Sequence, residues 1–355
     1  MIKRVLLVGI ILALGLALSE AATRTLDIFF IDVEGGQATL IVTPAGQSLL
    51  IDAGYGARGR GGAAGAAAGA GRDADRIMAA VREAHLDRID YLLVTHFHPD
   101  HVGGVPELAM RIPIGTFIDY GSPMGADRMA TGGFRAYEPV RGRGQHLQPK
   151  PGDRLPLKGI EADIFSSAGD IIQKRLSGGG RANPMCETFE VEPADGTENF
   201  RSIGLRIRYG SFRFVDPGDL MGVTLASLVC PVNLLGEASV YLVPHHGNYD
   251  SNVPAVLAAL RPRVALMNNG ATKGGDPASF TTLHKQPDLE DLWQLHESRN
   301  AGAKNAPDSF IANVDEGQTA YWIKLTASDD GRFTIVNGRT GFTKTYPAKR
   351  KRGGS

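Results

Sequence analysis

The sequence predicts an α+β fold, a four-layer αββα sandwich in which two sheets pack face to face under outer helices. Strand-like runs come in two blocks, each followed by segments with helical spacing. Sheets that must each bury a face, with helices to cover the outside, settle into that layering. No linker splits the 355 residues, and an apolar share of 43% is enough for one large core.

Taken in order, Lys3 and Arg4 precede an apolar run, Val5 to Leu18, followed by Ser19-Glu20-Ala21-Ala22. A basic start, a short apolar stretch and small residues before a cleavage point read as a secretory signal peptide over residues 1–22. Cleavage is expected after Ala21 or Ala22, leaving a domain over 24–345, a basic and Gly-rich tail over 346–355, and no membrane span. The protein is thus expected to be periplasmic or secreted.

Leu26 to Val33, Ala38 to Val42 and Ser48 to Ile51 read as three strands of an antiparallel meander, the last two joined by a turn at Pro44-Ala45-Gly46. The Gly- and Ala-rich run from Gly54 to Gly71 reads as a mobile loop. Asp73 to Ala84 has helical spacing, with Ile77, Met78 and Val81 on one side. Ile89 to Val94 is a buried strand, and Val105 to Arg111 starts a helix after Gly103-Gly104. Gly121 to Gly152 gives no clear element. Leu155 to Ser166 resembles a hairpin, and Ser167 to Asn199 a long loop. Ser202 to Tyr209 and Ser211 to Val215 alternate as a hairpin around Gly210. A helix (Leu220 to Leu228), a strand (Ser239 to Val243), a helix (Val253 to Leu260) and a strand (Arg263 to Met267) follow. Tyr321 to Thr326 and Phe333 to Val336 form a closing hairpin.

Basic and acidic residues balance at 38 each, so nothing global indicates a polyanionic partner such as nucleic acid. Cys186 and Cys230, the two cysteines, can pair in an oxidising compartment or stay as separate thiols; their spacing excludes paired Cys-x-x-Cys metal ligands.

The chemistry concentrates in Thr95-His96-Phe97-His98-Pro99-Asp100-His101-Val102-Gly103-Gly104, directly after an apolar strand. Four polar groups at the end of a buried strand carry a large desolvation cost unless something compensates them. Imidazoles at i and i+2 can reach one ion, and Asp100 with His101 a second. Nitrogen and oxygen donors without thiolate suit zinc first, with manganese or iron(II) as alternatives. His85, His146, His284 and His296 lie outside the motifs and read as surface or structural histidines.

The segment resembles the H-x-H-x-D-H signature of the metallo-β-lactamase superfamily, which implies a sandwich of that type. By that resemblance Asp52, in Ile51-Asp52-Ala53-Gly54, is the strand-end carboxylate that orients a metal-binding histidine. Asp219, in Asp216-Pro217-Gly218-Asp219-Leu220, matches the Asp shared between two ions, its Gly-Asp-Leu context favouring it over Asp216. Pro244-His245-His246-Gly247 matches the last metal-binding histidine; either can serve, with a preference for His245 that leaves His246 for substrate or proton transfer. Asp32-Val33-Glu34-Gly35-Gly36-Gln37-Ala38, Asn199-Phe200-Arg201-Ser202 and Pro-His-His-Gly resemble the ComEC-like branch, the hydrolase domain of competence DNA-uptake proteins, over about Leu26 to Met267. Secreted phosphorylcholine esterases share this layout. Glu34, Gly35 and Gln37 depart from that branch, and Gly275-Asp276-Pro277 stands where Gly-His-Pro is expected. No Gly-His-Thr third-histidine motif separates His101 from Asp219, and Asn199 falls near its place beside His96 and His98.

The resemblance implies an exported hydrolase holding two divalent ions on His96, His98, Asp100, His101, Asp219 and His245, with Asp52 and Asn199 behind them. Asp100 or His246 would handle the proton. A phosphodiester or small-molecule ester is the first substrate class; a lactone or β-lactam is the enzymatic alternative, and a non-catalytic metal-binding surface module the other. The segments Gly54 to Gly71 and Ser167 to Asn199 are expected to wall the cleft.

Overall fold

A computed structural model of the chain describes residues 24–56, 71–187, 196–251, 253–315 and 320–349. The signal peptide expected over residues 1–22, residues 57–70 of the Gly/Ala run and residues 350–355 of the tail lie outside the described residues.

The first sheet opens with β1 (Leu26–Phe30), β2 (Thr39–Val42) and β3 (Ser48–Ile51), an antiparallel meander as expected. Helix α1 (Arg72–Glu83) then crosses back to β4 (Ile89–Leu93), which lies parallel to β3. Two short helices follow, α2 (Pro99–Val102) and α3 (Val105–Leu108), then β5 (Ile114–Ile118), α4 (Arg128–Arg141) and β6 (Gln145–Leu147). The second sheet is built from β7 (Glu161–Ser167), β8 (Asp170–Ile171), β9 (Gly204–Tyr209) and β10 (Phe212–Asp216), continued by α5 (Gly222–Ser227), β11 (Val240–Leu242), α6 (Pro254–Leu260), β12 (Val264–Met267), α7 (Pro277–His284), β13 (Asp291–His296) and β14 (Ile311–Asn313). The chain returns to the first sheet as β15 (Ile323–Ala327), β16 (Phe333–Asn337) and β17 (Thr343–Tyr346).

The first sheet runs β17-β16-β15-β1-β2-β3-β4-β5-β6 and the second β14-β13-β12-β11-β10-β9-β7-β8. Alternation along the central strands explains the layers. Phe214, Val240, Leu242, Val264 and Leu266 join one core with Ile28, Phe30 and Leu40 of the first sheet. Their neighbours Val215, Tyr241, Val243, Ala265 and Met267 point the other way, into a second core with Leu257, Leu260 and Phe280 of α6 and α7. Successive side chains leave a strand on opposite faces, so strands apolar at every position must be covered twice. On the far side, α1 buries Ala74, Ile77, Ala80 and Val81. Phe30 meets Phe214 edge to face at 5.6 Å between ring centres, pinning sheet to sheet. The α+β sandwich is therefore as the sequence predicts.

Several elements differ from expectation. The unassigned stretch Gly121 to Gly152 contains α4, capped by Asp127, whose carboxylate accepts from the backbone N–H groups of Met129 and Ala130. Gly132, Gly133 and Pro139 lower its intrinsic helix propensity and hide it from pattern reading. Gly133 is required by packing, since a Cβ there would stand 2.3 Å from the carbonyl oxygen of Phe97. The proposed hairpin at Leu155 to Ser166 has one regular arm, β7, which pairs mainly with β9. The closing hairpin gains a third strand, β17. Cys186 and Cys230 form a disulfide, their Cα atoms 5.6 Å apart. Among the described residues no helix is long and apolar enough to cross a membrane.

This topology places the chemistry. Strands β3 and β4 are parallel in one sheet, as are β10, β11 and β12 in the other. Parallel neighbours end on the same edge, and the loops leaving those ends form a common crevice.

Candidate metal centre

Asp52 follows β3, the His96 to His101 motif follows β4, Asp219 follows β10 and the His245-His246 pair follows β11. Pro99 stands at the first position of α2, where its fixed φ starts a helical turn, and that turn presents Asp100 and His101 side by side. The motif's backbone is laced to both neighbouring loops: Gln37 N–H donates to Asp100 O at 3.1 Å and Ala53 N–H to His101 O at 2.7 Å.

Asp100, His101, Asp219 and His246 form a buried cluster, with one potential ligand atom from each lying within 4.8 Å of all the others. His101 Nε2 is 3.1 Å from Asp219 Oδ2 and 3.3 Å from His246 Nε2. His246 Nε2 lies 3.3 Å from Asp100 Oδ2 and 3.4 Å from Asp219 Oδ2. The other carboxylate oxygen of Asp219 is buried without a hydrogen-bond partner. Two imidazole nitrogens and two carboxylates converging on one buried point, with an orphaned oxygen among them, fit a divalent cation.

His96 and His98 make a second group beside the first. His96 Nε2 is 3.0 Å from His98 Nδ1 and 3.8 Å from Asp219 Oδ2, so Asp219 stands between the two groups. Asn199 lines the same cavity as His98, 5% exposed, with its Oδ1 buried and unpartnered and its Nδ2 3.4 Å from His245 Nε2.

Asp52 supports the cluster from below. Its carboxylate accepts from the Thr95 backbone N–H at 2.8 Å and the Thr95 hydroxyl at 2.7 Å, and lies 2.7 Å from His101 Nδ1, which turns His101 Nε2 toward Asp219. Burial alone would push the His101 imidazolium down, yet Asp219 and Asp52 together raise it to about 10. Asp219 shows the converse: burial opposes its charge, but His101 and His246 hold it well below the usual carboxylate range. His96, buried among His101 and His98, is held well below an ordinary imidazole. The acidic groups of the cluster thus call for positive charge.

The structure reverses the preference between the paired histidines. His246 is fully buried and enters the cluster, whereas His245 ties Nδ1 to Asp250 at 3.0 Å and lines the cavity in front. The reason is backbone direction. His245 and His246 both take left-handed conformations, with φ of 48° and 55°, and Gly247 continues the run at 78°. Asp52 is left-handed too, at 59°. Such strain in non-glycine residues persists where the surroundings enforce it, and it gathers at functional sites.

The cavity holds about 1300 Å³ and is bordered by His98, Asp100, Asp219, His245 and Asn199. Tyr55, Gly56 and Thr197 also line it, so the described ends of the two loops expected to wall the cleft reach it. Pattern reading missed two groups here. Lys273 contacts Asp100 and lies 3.1 Å from the Tyr55 hydroxyl; its only sequence signal is a lysine before Gly274-Gly275. Asp127 lies 2.8 Å from His98 Nε2, and a lone Asp in an unassigned stretch gave no signal.

Residues 31–166 match the model of the metallo-beta-lactamase superfamily. An atrochrysone carboxyl ACP thioesterase of Aspergillus fumigatus is 26% identical over 159 residues, 45% of this chain and 38% of that protein, so the chain matches well under two thirds of the relative's length. Among solved structures, Igni18, a metallo hydrolase of Ignicoccus hospitalis, aligns with a TM-score of 0.41 at 14% identity, over 76% of this chain and 94% of that one. The metallo-beta-lactamase fold protein YhfI of Bacillus subtilis aligns at 0.43 and 11%, over 76% and 95%. The matched residues 31–166 contain Asp52 and the whole His96 to His101 motif.

Proposed function

We propose that this chain is an exported metal-dependent hydrolase that works with two divalent ions, zinc first, on phosphodiester-type substrates. The observation that carries the reading is the convergence of Asp100, His101, Asp219 and His246 from three separate strand-end loops on one buried point. Asp100, His101, Asp219 and His246 would hold one ion, and His96, His98 and the shared Asp219 the other. When bound, such ions lower the pKa of coordinated water and supply positive charge where a transition state gathers negative charge.

The chain's own groups do the rest. Asp52 keeps the His101 ring in one orientation. His245, tethered by Asp250 and bordering the cavity, is placed to pass a proton to a leaving oxygen, the task expected from the sequence of Asp100 or His246. Lys273, Arg128 and Arg135 around the same cavity favour an anionic substrate. The likeness of Asp32 to Ala38 and Pro244 to Gly247 to the competence-protein branch supports a phosphodiester. Export is supported by the Cys186–Cys230 disulfide, which persists in oxidising compartments, and by the signal-like first 22 residues.

A thioester is the second reading. Pro99, Pro106, Met129 and Ala136 give the cavity an apolar wall suited to an acyl group, and the fungal relative is a thioesterase. Metal quantification on the purified chain, followed by bis-nitrophenyl phosphate, an aryl thioester and nitrocefin with that metal added back, tests the proposal. Preferred turnover of the diester, lost in Asp219→Ala together with the metal, is expected. Less than one ion per chain with no hydrolysis of any of the three would overturn it.

A further inference from the structure

We propose that Asp127 is the positioning residue of the second metal group, setting His98 to present Nδ1 beside His96. This rests on the two-ion reading above. His98 Nδ1 lies 3.0 Å from His96 Nε2, while its Nε2 lies 2.8 Å from Asp127 Oδ2. A carboxylate accepts hydrogen bonds and donates none. The proton of a neutral His98 therefore sits on Nε2, and the Nδ1 lone pair faces His96.

Asp127 is itself held fast. Its Oδ1 accepts from the Met129 and Ala130 backbone N–H groups, each at 3.0 Å, as the cap of α4. Its Oδ2 also accepts from the Glu198 backbone N–H at 3.2 Å. Glu198 opens the 3₁₀ turn Glu198–Arg201, which carries Asn199 to the site. One carboxylate thus joins the cavity-wall helix, the His98 ring and the turn bearing Asn199.

The linkage matters because the two groups are unequal. The cluster around His101 gathers four donors, whereas the second group has His96 and His98 with the shared Asp219, 3.8 Å from His96 Nε2. With fewer donors, affinity depends more on holding those present in the binding geometry, and a ring-orienting partner is worth roughly 10–100-fold in metal affinity.

The test is a zinc titration of the metal-stripped full chain, with a competing chelator, on wild type, Asp127→Asn and Asp127→Ser. Both substitutions keep a helix cap, but Asn can turn an N–H toward His98 and Ser leaves its Nε2 without a carboxylate. Wild type is expected to take two ions of unequal affinity. In both variants the weaker step should loosen roughly 10–100-fold, while the tighter step stays unchanged. Long-range ¹H–¹⁵N spectra of the metal-free wild type should show the His98 proton on Nε2. That spectrum decides the matter if both variants fail to fold, because a proton on Nδ1 overturns the proposal. Unchanged affinities in the variants, or a single ion in wild type, overturn it while leaving the Asp100–His246 centre standing. Wild type that takes up no zinc removes the two-ion reading and this inference together.

Discussion

Asp52 shows how a residue behind the buried cluster orients one of its members. Fully buried, it accepts from Thr95 twice and braces His101. Asp52→Asn should weaken metal binding roughly 10–100-fold by isothermal titration, because the amide cannot accept from both Thr95 and His101 while keeping its plane. Unaltered affinity would deny it that role. Asp73 makes a separate pH prediction. Burial, only partly offset by Arg72, raises its carboxyl from 3.8 to about 6. With the folded value above the unfolded one, its favourable contribution is complete below about pH 4 and is lost as pH rises through about 6. The loss is about 3 kcal/mol at 1.36 kcal/mol per pKa unit. Urea melts from pH 4 to 7 should show the stability difference between wild type and Asp73→Asn shrinking by about that much; a difference that stays flat with pH refutes the assignment.

At the scale of elements, α4 is the informative case. Its neighbouring glycines face different surroundings: a Cβ at Gly133 would strike the Phe97 carbonyl, while nothing lies within 4 Å of one at Gly132. Gly132→Ala should therefore stabilise the fold by about 0.4–1 kcal/mol through the unfolded chain. Gly133→Ala should cost about 1–3 kcal/mol by overpacking. It should also weaken metal uptake, since Phe97 lies between His96 and His98. Equal effects of the two substitutions in urea unfolding would show that α4 does not press on the motif. Phe97 adds a second constraint, packing against Tyr120 and Phe134 with ring centres 4.8 and 4.9 Å away.

For the molecule as a whole, two sheets share one core and aim their parallel strand ends at the same crevice, so the site stands on rigid ground. The Cys186–Cys230 disulfide braces the second sheet's flank, tying the turn Pro184–Glu187 to the segment after α5 across a sequence separation of 44. In the chain-entropy account a loop of that size contributes up to about 4 kcal/mol. Replacing both cysteines by serine should lower the urea-derived stability by about 2–4 kcal/mol while leaving zinc stoichiometry intact, because neither cysteine lines the cavity. Loss of zinc from a folded double variant would place the disulfide closer to the chemistry than this structure does.

Much of this was legible in the chain itself. The six-residue span from His96 to His101 sets its donors next to one another by local spacing, and an apolar strand before it forces them to the end of a buried element. The hairpin around Gly210 followed from alternation, the meander from short strands in quick succession, and the two-sheet layering from the order of strand and helix blocks along the chain. Helix α4 was hidden because its glycines serve packing rather than propensity, and β13 with α7 because no local pattern marked them. Tertiary structure alone decided that His246, not its neighbour, turns into the cluster, since that depends on a left-handed backbone at two successive residues. It alone joined Asp127 to His98, Lys273 to Asp100 and Cys186 to Cys230. Those contacts link residues 29, 173 and 44 positions apart, and only the packing of whole elements determines which distant side chains meet.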